Sequence, residues 1–358
     1  MAGLRSRGYG WPNGRGDGGL CRAHEEFGRG KGMKLSVAIA ARNIRELLRN
    51  CLNSLRPAST GEPVPPVSSM EVIVVDDCSS DGTAEMVRSE FPEVRLIRND
   101  ENLGFARSSN KGLLEAGGDY LALLNADTVV PRGGLERLVA FLEEHPEVWA
   151  VGPKLVYPTG GVQPSCSTFL QVRYVLFEQL FLDKLFRRSR LFGGHFLTWW
   201  DYSEPREVDV LSGACIVAPR RTWEQVGLLD ENYFLYCDDP DWCLRVHQAG
   251  GKCFFLPDVE IVHYVGATSQ ANRGPAILAY NRSRCYYFRK FHGERAAELV
   301  RKIAVFGAGL RLALWGGKAL LGSRAAREQA KMWRSVLKGL CEIDVHALPD
   351  RPVVPYLQ

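Results

Sequence analysis

Three carboxylates fall within four positions of the segment "FLYCDDPDWCLR" (residues 234–245), namely Asp238, Asp239 and Asp241. The surroundings predict a helix start, because Pro240 suits the first helical position and the residue before a proline favours an extended backbone. Asp239 is then the expected N-cap, with its neighbours in the favourable field of the helix N-terminus. Crowded like charges raise proton affinity, and the helix N-terminus lowers it. The segment is therefore also a candidate for a general base, with Asp239 favoured and Asp241 expected to be only a helix-dipole partner.

Further acidic side chains stand where two predicted strands end. Asp76 and Asp77 follow "EVIVV" (71–75), and Asn125 and Asp127 follow "YLALL" (120–124). In an open parallel sheet, ligands bind beyond the carboxyl ends of the strands. Asn125 and Asp127 are two residues apart, so we expect both side chains to point to the same side, where one carboxylate suffices to hold Mg²⁺ or Mn²⁺ together with water and phosphate oxygens. No glycine-rich dinucleotide fingerprint or P-loop is present.

The elements that must position these acids alternate along the chain. Hydrophobic periodicity predicts strands at 35–41, 71–77, 94–99, 120–127, 148–152, 208–219 and 253–266. It predicts helices at 44–55, 79–91, 104–116 and about 132–145, and helical structure after 280. Strands that alternate with helices indicate a mainly parallel sheet flanked by helices.

Composition sets the outer bounds on the class of protein. The chain has 358 residues, of which 46% are hydrophobic, enough for one large or two modest domains. Its ten cysteines include no C-x-x-C pair, so we expect reduced, mostly buried thiols and a cytoplasmic protein. Residues 1–32 are rich in Gly and Arg and are expected to be disordered. They contain no apolar segment of a secretory signal, and Met33 is a candidate for the true start.

The basic residues are concentrated towards the end of the chain. Residues 282–338 carry fourteen Arg and Lys against three acidic residues, a net charge of +11, whereas the whole chain carries +4. This asymmetry predicts an anionic partner or surface. Nucleic acid is not expected, because no nucleic-acid-binding motif accompanies the charge. The apolar stretch 303–322 is interrupted by Arg311 and Lys318, which favours an interfacial amphipathic helix or a packed terminal helix over a membrane span.

Several motifs occur in an order that resembles one family. They are "SVAIAARN", "VIVVDDCSSDGT", "RNDENLGFARSSNKGL", "YLALLNADTVVPRG", "VLSGACIVAPRRTWEQVGLLDENYFLYCDDPDWCLR" and "VHYVGATS", within roughly residues 34–270. The sequence resembles family 2 glycosyltransferases, most closely the rhamnosyltransferase-like bacterial members. The resemblance implies an α/β fold of the GT-A type with a Rossmann-like sheet, a nucleotide-sugar donor, a divalent metal and inversion at the anomeric carbon.

The resemblance also divides the chain and assigns roles to residues. It implies a glycosyltransferase domain at 33–270, with a nucleotide-sugar half at about 33–130 and an acceptor half at about 131–270. A basic, mostly helical extension follows at 271–358. The implied donor-binding residues are Asp76, Asp77, Asn102, Gly104, Asn110 and Asn125. The implied metal ligands are Asp127 and His263, the implied general base is Asp239, and Gly213, Ala214, Asp238 and Trp242 are placed on the acceptor side.

The resulting hypothesis is transfer of a sugar, rhamnose by analogy, from a dTDP- or UDP-sugar to a glycan or lipid-linked acceptor. Residues 282–338 are expected to contact the inner face of the plasma membrane, or else to pack on the catalytic domain. A glycoside hydrolase also uses two carboxylates, but it would leave the strand-end acids unexplained. A nucleotide-sugar-binding protein without turnover is the other alternative. This second alternative is suggested by departures from the family pattern at Ala41–Asn43, Pro240 and Trp242.

Overall fold

The computed structural model describes residues 33–56, 64–264 and 273–357, and the predicted disordered extension 1–32 lies outside them. The strands are β1 Met33–Ala41, β2 Val67–Asp76, β3 Arg95–Arg98, β4 Tyr120–Leu124, β5 Thr128–Val129, β6 Val148–Val156, β7 Val162–Gln163, β8 Cys166–Ser167, β9 Arg206–Val208, β10 Val210–Leu211, β11 Cys215–Pro219 and β12 Lys252–His263. The helices are α1 Arg45–Leu55, α2 Thr83–Glu90, α3 Phe105–Leu114, α4 Gly134–Glu144, α5 Val172–Gln179, α6 Leu182–Leu185, α7 Arg220–Val226, α8 Asp238–Gln248, α9 Arg273–His292, α10 Glu294–Leu320 and α11 Arg324–Cys341.

The fold is built on a large sheet with strand order β3-β2-β1-β4-β11-β6-β12-β5. In addition, β7 pairs with β6, and β9 pairs with β12. The first four strands of this order are parallel, and β6 and β12 are parallel to each other. Strand β11 is antiparallel to both of its neighbours, β4 and β6. The fold is therefore α/β with a mainly parallel sheet, as the sequence predicts, and the carboxyl ends of β1, β2 and β4 meet at one edge.

Alternate residues of each strand face two separate cores, as the period of two in a strand requires. Val37 and Ile39 of β1 pack with helices α1, α2 and α4, while Ala38 between them packs on the other side with α3 and α8. A third, smaller core joins α10 and α11 around Trp333. Both faces of the sheet are therefore covered, which explains why its central strands read as continuous apolar runs.

Two predicted strands differ from the observed ones. The predicted strand 208–219 is divided into β9, β10 and β11, because a turn through Ser212–Ala214 separates the last two. Strand β2 begins at Val67, four residues before the predicted start at residue 71. The continuous apolar pattern of 208–219 contained no signal for the turn except Gly213, which is where a loop reaches the acids of α8.

The C-terminal helices α9, α10 and α11 pack on the rest of the molecule, and residues 33–358 form one compact unit. Helix α9 carries Tyr286, Tyr287 and Phe288 into the main core. The basic extension after 271 is mostly helical, as predicted. The division at residue 270 stays a prediction, since the core runs continuously across it.

The described cysteines are free, and seven of the nine are buried, in line with the expected reduced thiols.

Candidate functional site

Asp76 and Asp77 lie at the carboxyl end of β2 and are both buried, but their hydrogen bonding differs. Asp77 accepts hydrogen bonds from the side-chain amide of Asn99 at 2.9 Å and from the backbone N–H groups of Leu103 and Gly104 at 2.8 and 3.1 Å. Asp76 accepts one hydrogen bond, from Ser79 N at 3.3 Å; its Oδ2 has no hydrogen-bond partner among the described residues and lies 3.4 Å from Nε of Arg98 in an ion pair. Asp77 therefore shapes the loop, while Asp76 keeps an acceptor available for a ligand.

The loop that Asp77 holds contains two of the predicted donor-binding residues, Asn102 and Gly104. The exposed Asn102 accepts a hydrogen bond from Gly104 N at 3.2 Å. Gly104 has a φ of +84°, and a Cβ added there would come within 2.5 Å of the carbonyl oxygen of Phe234. Phe105 N donates to the same carbonyl at 2.9 Å. The glycine thus allows the loop to pack directly on the segment that leads into α8.

Asn110 is fully buried on α3 and binds the main chain of a distant loop. Its side chain donates to the carbonyl of Leu229 at 2.9 Å and accepts from the N–H of the same residue at 3.0 Å. It also lies 3.2 Å from a carboxylate oxygen of Glu231. These contacts satisfy its amide internally, so its observed role is to hold residues 229–231.

Asn125, Asp127 and His263 come together beyond β4 and β12. The Nε2 atom of His263 lies 3.2 Å from Oδ1 of Asp127 and 3.3 Å from Nδ2 of Asn125. The Nδ1 atom of the same ring lies 3.2 Å from the side-chain amide of Gln163. When Nδ1–H donates to the Gln163 oxygen, Nε2 presents a lone pair towards the Asp127 carboxylate. Two electron-rich groups facing each other form a site suited to a cation.

The donor set at this point is small. Among the described residues no group of three or more His, Cys, Asp or Glu is arranged to hold a metal ion. Asp127 and His263 would be two protein ligands of such an ion, and the Oδ1 of Asn125 is buried without a hydrogen-bond partner in the described part of the chain. Water and phosphate oxygens complete the coordination of Mg²⁺ at such sites. The residues present therefore fit a divalent cation that is bound together with a phosphorylated ligand.

Helix α8 starts two residues earlier than the sequence predicts. Its N-cap is Cys237, with φ +64° and no side-chain cap, so the prediction that Asp239 is the N-cap and Pro240 the first helical residue is wrong. Asp239 lies in the first turn, where its Oδ2 accepts a hydrogen bond from the N–H of Gly213 at 3.1 Å. The proline is tolerated at the third helical position because N–H groups of the first turn have no intrahelical acceptor.

Burial raises the pKa of Asp239 to about 6, and the Gly213 N–H opposes that rise. The pKa of Asp238 lies well above its usual range, first because of burial and second because of the Asp239 carboxylate beside it. At neutral pH this arrangement leaves Asp239 ionised yet far more basic than an ordinary aspartate. Its titration near neutrality is the property that a general base requires.

Gly213 and Ala214 connect the two clusters. The N–H of Gly213 binds Asp239, and the carbonyl of Ala214 accepts a hydrogen bond from Asn125 N at 3.0 Å. The cluster of Asn125, Asp127 and His263 and the carboxylate of Asp239 therefore lie on either side of one short turn. Trp242, which the sequence placed on the acceptor side, is fully buried instead. Its ring centroid lies 4.1 Å from that of Trp223, and its indole N–H donates to the Gly227 carbonyl.

An open cavity of about 1280 Å³ lies beside Asp239. One wall comes from the segment 164–170 together with His195 and Phe196, and the facing wall comes from helices α9 and α11. Apolar side chains dominate the walls, including Leu170, Ile277 and Met332. Burial lowers the pKa of His195 to about 4, so its ring is neutral at physiological pH.

Sequence reasoning missed Gln163, His195 and the cavity wall that the C-terminal helices supply. Gln163 lies in a two-residue strand with no local pattern, and its role depends on pairing across the sheet with β6. The wall residues of α9 and α11 are spaced as in any packed helix. No local signal separated them from core positions, and their role emerges only from the tertiary arrangement.

The chain is similar in sequence and in structure to known glycosyltransferases. Residues 36–196 match the family model "Glycosyl transferase family 2". The chain is 26% identical over 234 residues to the N-acetylglucosaminyl-diphospho-decaprenol L-rhamnosyltransferase of Mycobacterium tuberculosis, covering 62% of this chain and 76% of that protein. It is also 26% identical to the O-antigen biosynthesis protein RfbC of Myxococcus xanthus, over 68% of this chain and 18% of that one. A solved mannosyltransferase from Pyrobaculum calidifontis, in complex with GDP-Man and Mn²⁺, is similar over 87% of both chains, with 18% identity and a TM-score of 0.49.

The observed sheet with its flanking helices and helical C-terminal region is the GT-A architecture that the motifs predict. The chain therefore carries a domain that matches family 2 glycosyltransferases over residues 36–196, and it is a glycosyltransferase.

We predict that Gly104→Ala destabilises the protein more than Gly160→Ala does. Both glycines have a positive φ, +84° and +85°, so both substitutions incur a backbone cost of about 1 kcal/mol or more. Only Gly104 faces a close backbone oxygen, whereas nothing lies within 4 Å of the Cβ position at Gly160. The additional loss at Gly104 should be about 1–3 kcal/mol, measured by urea unfolding. Equal losses would contradict the close packing against Phe234.

Proposed function

We propose that the enzyme is an inverting glycosyltransferase. It moves a sugar from a nucleotide-diphosphate donor to a hydroxyl group of a glycan or lipid-linked acceptor. The observation that carries this proposal is the arrangement around Gly213 and Ala214. The Asp127–His263 pair lies on one side of this turn, and Asp239, at the base of a large cavity, lies on the other. One site suits a diphosphate with its cation, and the other suits a hydroxyl that must lose a proton.

The donor lies, on this proposal, along the carboxyl edge of β1, β2 and β4. The Oδ2 of Asp76, which is ion-paired with Arg98 but accepts no hydrogen bond within the described residues, accepts one from the imide N–H of a uracil or thymine ring, which fits a UDP- or dTDP-sugar. Asp77 and Gly104 shape the loop beside the nucleotide, and Asn102 at the exposed end of that loop contacts it. Rhamnose is the proposed sugar, because the Mycobacterium relative is named as an L-rhamnosyltransferase.

A divalent cation, Mg²⁺ or Mn²⁺, is the proposed cofactor, with Asp127 and His263 as its protein ligands. The Gln163 oxygen accepts from Nδ1–H in the tautomer whose Nε2 lone pair can bind the ion, and the Asn125 amide, 3.3 Å from Nε2, lies beside that position. A bound cation at this point would act as a Lewis acid that stabilises the charge of the leaving diphosphate. Two protein ligands hold such an ion weakly, so binding of the ion should depend on the donor phosphates.

We predict that Asp127→Asn weakens Mn²⁺ binding and lowers turnover in parallel, because the carboxylate is the charged protein ligand. Chelation of the wild-type protein should abolish turnover, and Mg²⁺ or Mn²⁺ should restore it. Electron paramagnetic resonance of Mn²⁺ titrated with protein, with and without nucleoside diphosphate, measures binding directly. Asp258→Asn, on an exposed position, is the matched control. Full turnover in the presence of chelator, or unchanged Mn²⁺ affinity in Asp127→Asn, would refute the assignment.

Asp239 is the proposed general base of a single displacement. The acceptor hydroxyl lies in the cavity and gives its proton to the Asp239 carboxylate as its oxygen attacks the anomeric carbon. The bond from that carbon to the donor phosphate oxygen breaks on the opposite face, and the nucleoside diphosphate leaves. One bond forms as the other breaks, so the configuration at the anomeric carbon inverts. Asp238 stays on the acceptor side, where burial and the neighbouring Asp239 carboxylate raise its pKa.

We predict that Asp239→Asn lowers turnover by about a hundredfold or more, the usual contribution of a general base. Donor affinity, measured by calorimetry, should change little, because Asp239 lies on the cavity side of the Gly213 turn. In the wild type, turnover should fall as the pH drops through about 6, where Asp239 becomes protonated. Normal turnover in Asp239→Asn would contradict the base assignment. Since Asp239 is not the N-cap, loss of folding is not expected, and thermal unfolding serves as the check.

The acceptor occupies the cavity on this proposal, with its sugar hydroxyl at Asp239 and its remainder between the two walls. The apolar lining favours a lipid-linked acceptor over a free glycan, because apolar groups gain free energy when they leave water. The Mycobacterium relative is named for an acceptor of this kind, a sugar linked through diphosphate to decaprenol.

The C-terminal helices present exposed apolar and basic side chains that suit contact with a membrane surface. Helix α10 has 27 residues and is long and apolar enough to cross a membrane by length and composition alone. Its side chains at Leu299, Phe306 and Leu314 are about half exposed. Lys302, Lys331 and Lys338 on α10 and α11 are well exposed. We propose that residues 282–338 contact an anionic membrane peripherally, at the cytoplasmic face where a lipid-linked acceptor would be presented.

We predict that the protein co-sediments with vesicles that contain anionic phospholipid and binds much less to vesicles of phosphatidylcholine alone. Added salt should weaken the binding, since exposed lysines supply the attraction. Phe306→Glu should reduce binding further, with Leu176→Glu on α5 as the control at another exposed apolar position. Binding that ignores lipid charge and salt would count against electrostatic docking.

A further inference from the structure

A lysine of the C-terminal region lies between two buried carboxylates. The ammonium group of Lys290 on α9 is 2.8 Å from Oδ2 of Asp230 and 2.6 Å from Oδ2 of Asp241. Both aspartate side chains are fully buried, and that of Lys290 is 12% exposed. Asp241 is two residues from Asp239 on the same helix. Lys290, on helix α9, therefore makes direct contact with helix α8, which carries the proposed base.

The remaining partners complete a closed network. Asp241 also accepts hydrogen bonds from Arg245 Nε at 2.8 Å and from the hydroxyl of Tyr233 at 3.0 Å. Arg245 in turn donates to main-chain carbonyls of residues 226–228, the end of α7 and the turn after it. This interaction fixes α8 against α7. It also corrects the expectation that Asp241 is merely a helix-dipole partner.

Asp230 connects the same network to the end of the chain. It accepts hydrogen bonds from the Tyr286 hydroxyl on α9 at 2.8 Å and from Val353 N at 3.0 Å. The carbonyl of Val353 accepts from Glu231 N at 2.8 Å. The loop before α8, helix α9 and the C-terminal segment therefore meet at one pair of acids.

The charges in this network balance. Asp230 and Asp241 carry two negative charges, and Lys290 and Arg245 carry two positive ones. Leaving a buried ion without its partner is strongly unfavourable, whereas a completed network with satisfied hydrogen bonds is tolerated. Removal of Lys290 would leave one net negative charge next to the turn of helix that carries Asp239.

We propose that Lys290 is a positioning residue for Asp239: it fixes helix α8 and neutralises the acids behind the proposed base. This inference rests on the proposed function of Asp239. It makes the C-terminal region part of the machinery that sets the basicity of the active site. An uncompensated negative charge nearby raises the proton affinity of a carboxylate, and an uncompensated positive charge lowers it.

Other groups face Asp239 and stay the same in the experiment. Its own helix contributes Asp238, the turn after β10 contributes the Gly213 N–H, and the residue before the helix is Cys237. The titratable and charged groups on the other elements around the cavity are His195, Tyr236, Arg273 and Tyr280, with Arg284 behind Tyr280. None of these is altered in the variants below, so a change in the pH profile reports the network.

The experiment uses the full chain and three variants that change the net charge of the network stepwise. Lys290→Met leaves a net charge of −1, Asp230→Asn leaves +1, and the double variant restores zero. Donor turnover, with release of nucleoside diphosphate as the readout, is measured from pH 5 to 9 alongside donor affinity and thermal unfolding. Lys252→Met removes a surface lysine at the start of β12, where it pairs with Glu207, and is the matched control.

Lys290→Met should move the acid limb of the turnover profile to higher pH by about half a unit or more, and Asp230→Asn should move it to lower pH. The double variant should return it close to the wild-type position, and Lys252→Met should leave it unchanged. A purely structural role would lower stability in both single variants without shifts of opposite sign. If Lys290→Met does not fold, the inference is judged by two results: the shift of the acid limb to lower pH in Asp230→Asn, and its return towards the wild-type pH in the double variant.

Unshifted profiles in Asp230→Asn and Lys290→Met would overturn the inference while leaving the proposed function intact. Failure of the proposed function looks different. In that case the wild-type protein itself releases no nucleoside diphosphate from any donor, or it shows no acid limb that depends on Asp239.

Discussion

The need to neutralise buried carboxylates governs the arrangement of this enzyme. An aspartate withdrawn from water is costly, of the order of several kcal/mol, unless hydrogen bonds or cations replace its hydration. The protein meets that need internally for Asp77, Asp230 and Asp241, which fix a loop, the C-terminal segment and helix α8. It leaves the need incompletely met at Asp76 and Asp127, and these two acids lie where parallel strands end. The unmet positions mark the proposed donor site.

Partial neutralisation also explains how one segment can serve both structure and chemistry. Of the three acids crowded at the start of α8, Asp241 is paired with two cations, Asp238 lies in a pair that favours its protonated form, and Asp239 faces the cavity with one backbone donor. The same stretch therefore holds the helix in place and provides a carboxylate of raised pKa. Helices α9 and α11 line the other side of the cavity, so the C-terminal region shapes the space beside the proposed base.

Much of the fold could be predicted from the sequence, because the strands of the first half are buried on both faces and read as apolar runs between helices with clear periodicity. The meeting of Asn125, Asp127 and His263 followed from family motifs and from the rule that ligands bind at the carboxyl edge. The N-cap assignment at Asp239 failed, because Cys237 adopts a left-handed conformation that no local preference indicated. Lys290 and Gln163 were not found, since their roles depend on contacts with residues far away in the chain.

Buried carboxylates that are incompletely neutralised, Asp76 and Asp127, mark the proposed donor site. Anomalous scattering from crystals grown with Mn²⁺ and a uridine or thymidine diphosphate tests this assignment most directly. The account predicts one strong manganese peak in contact with Asp127 and His263, bridged to the diphosphate, with the base edge against Asp76. A manganese peak at Asp239, or a nucleotide bound away from the ends of β2 and β4, would contradict it.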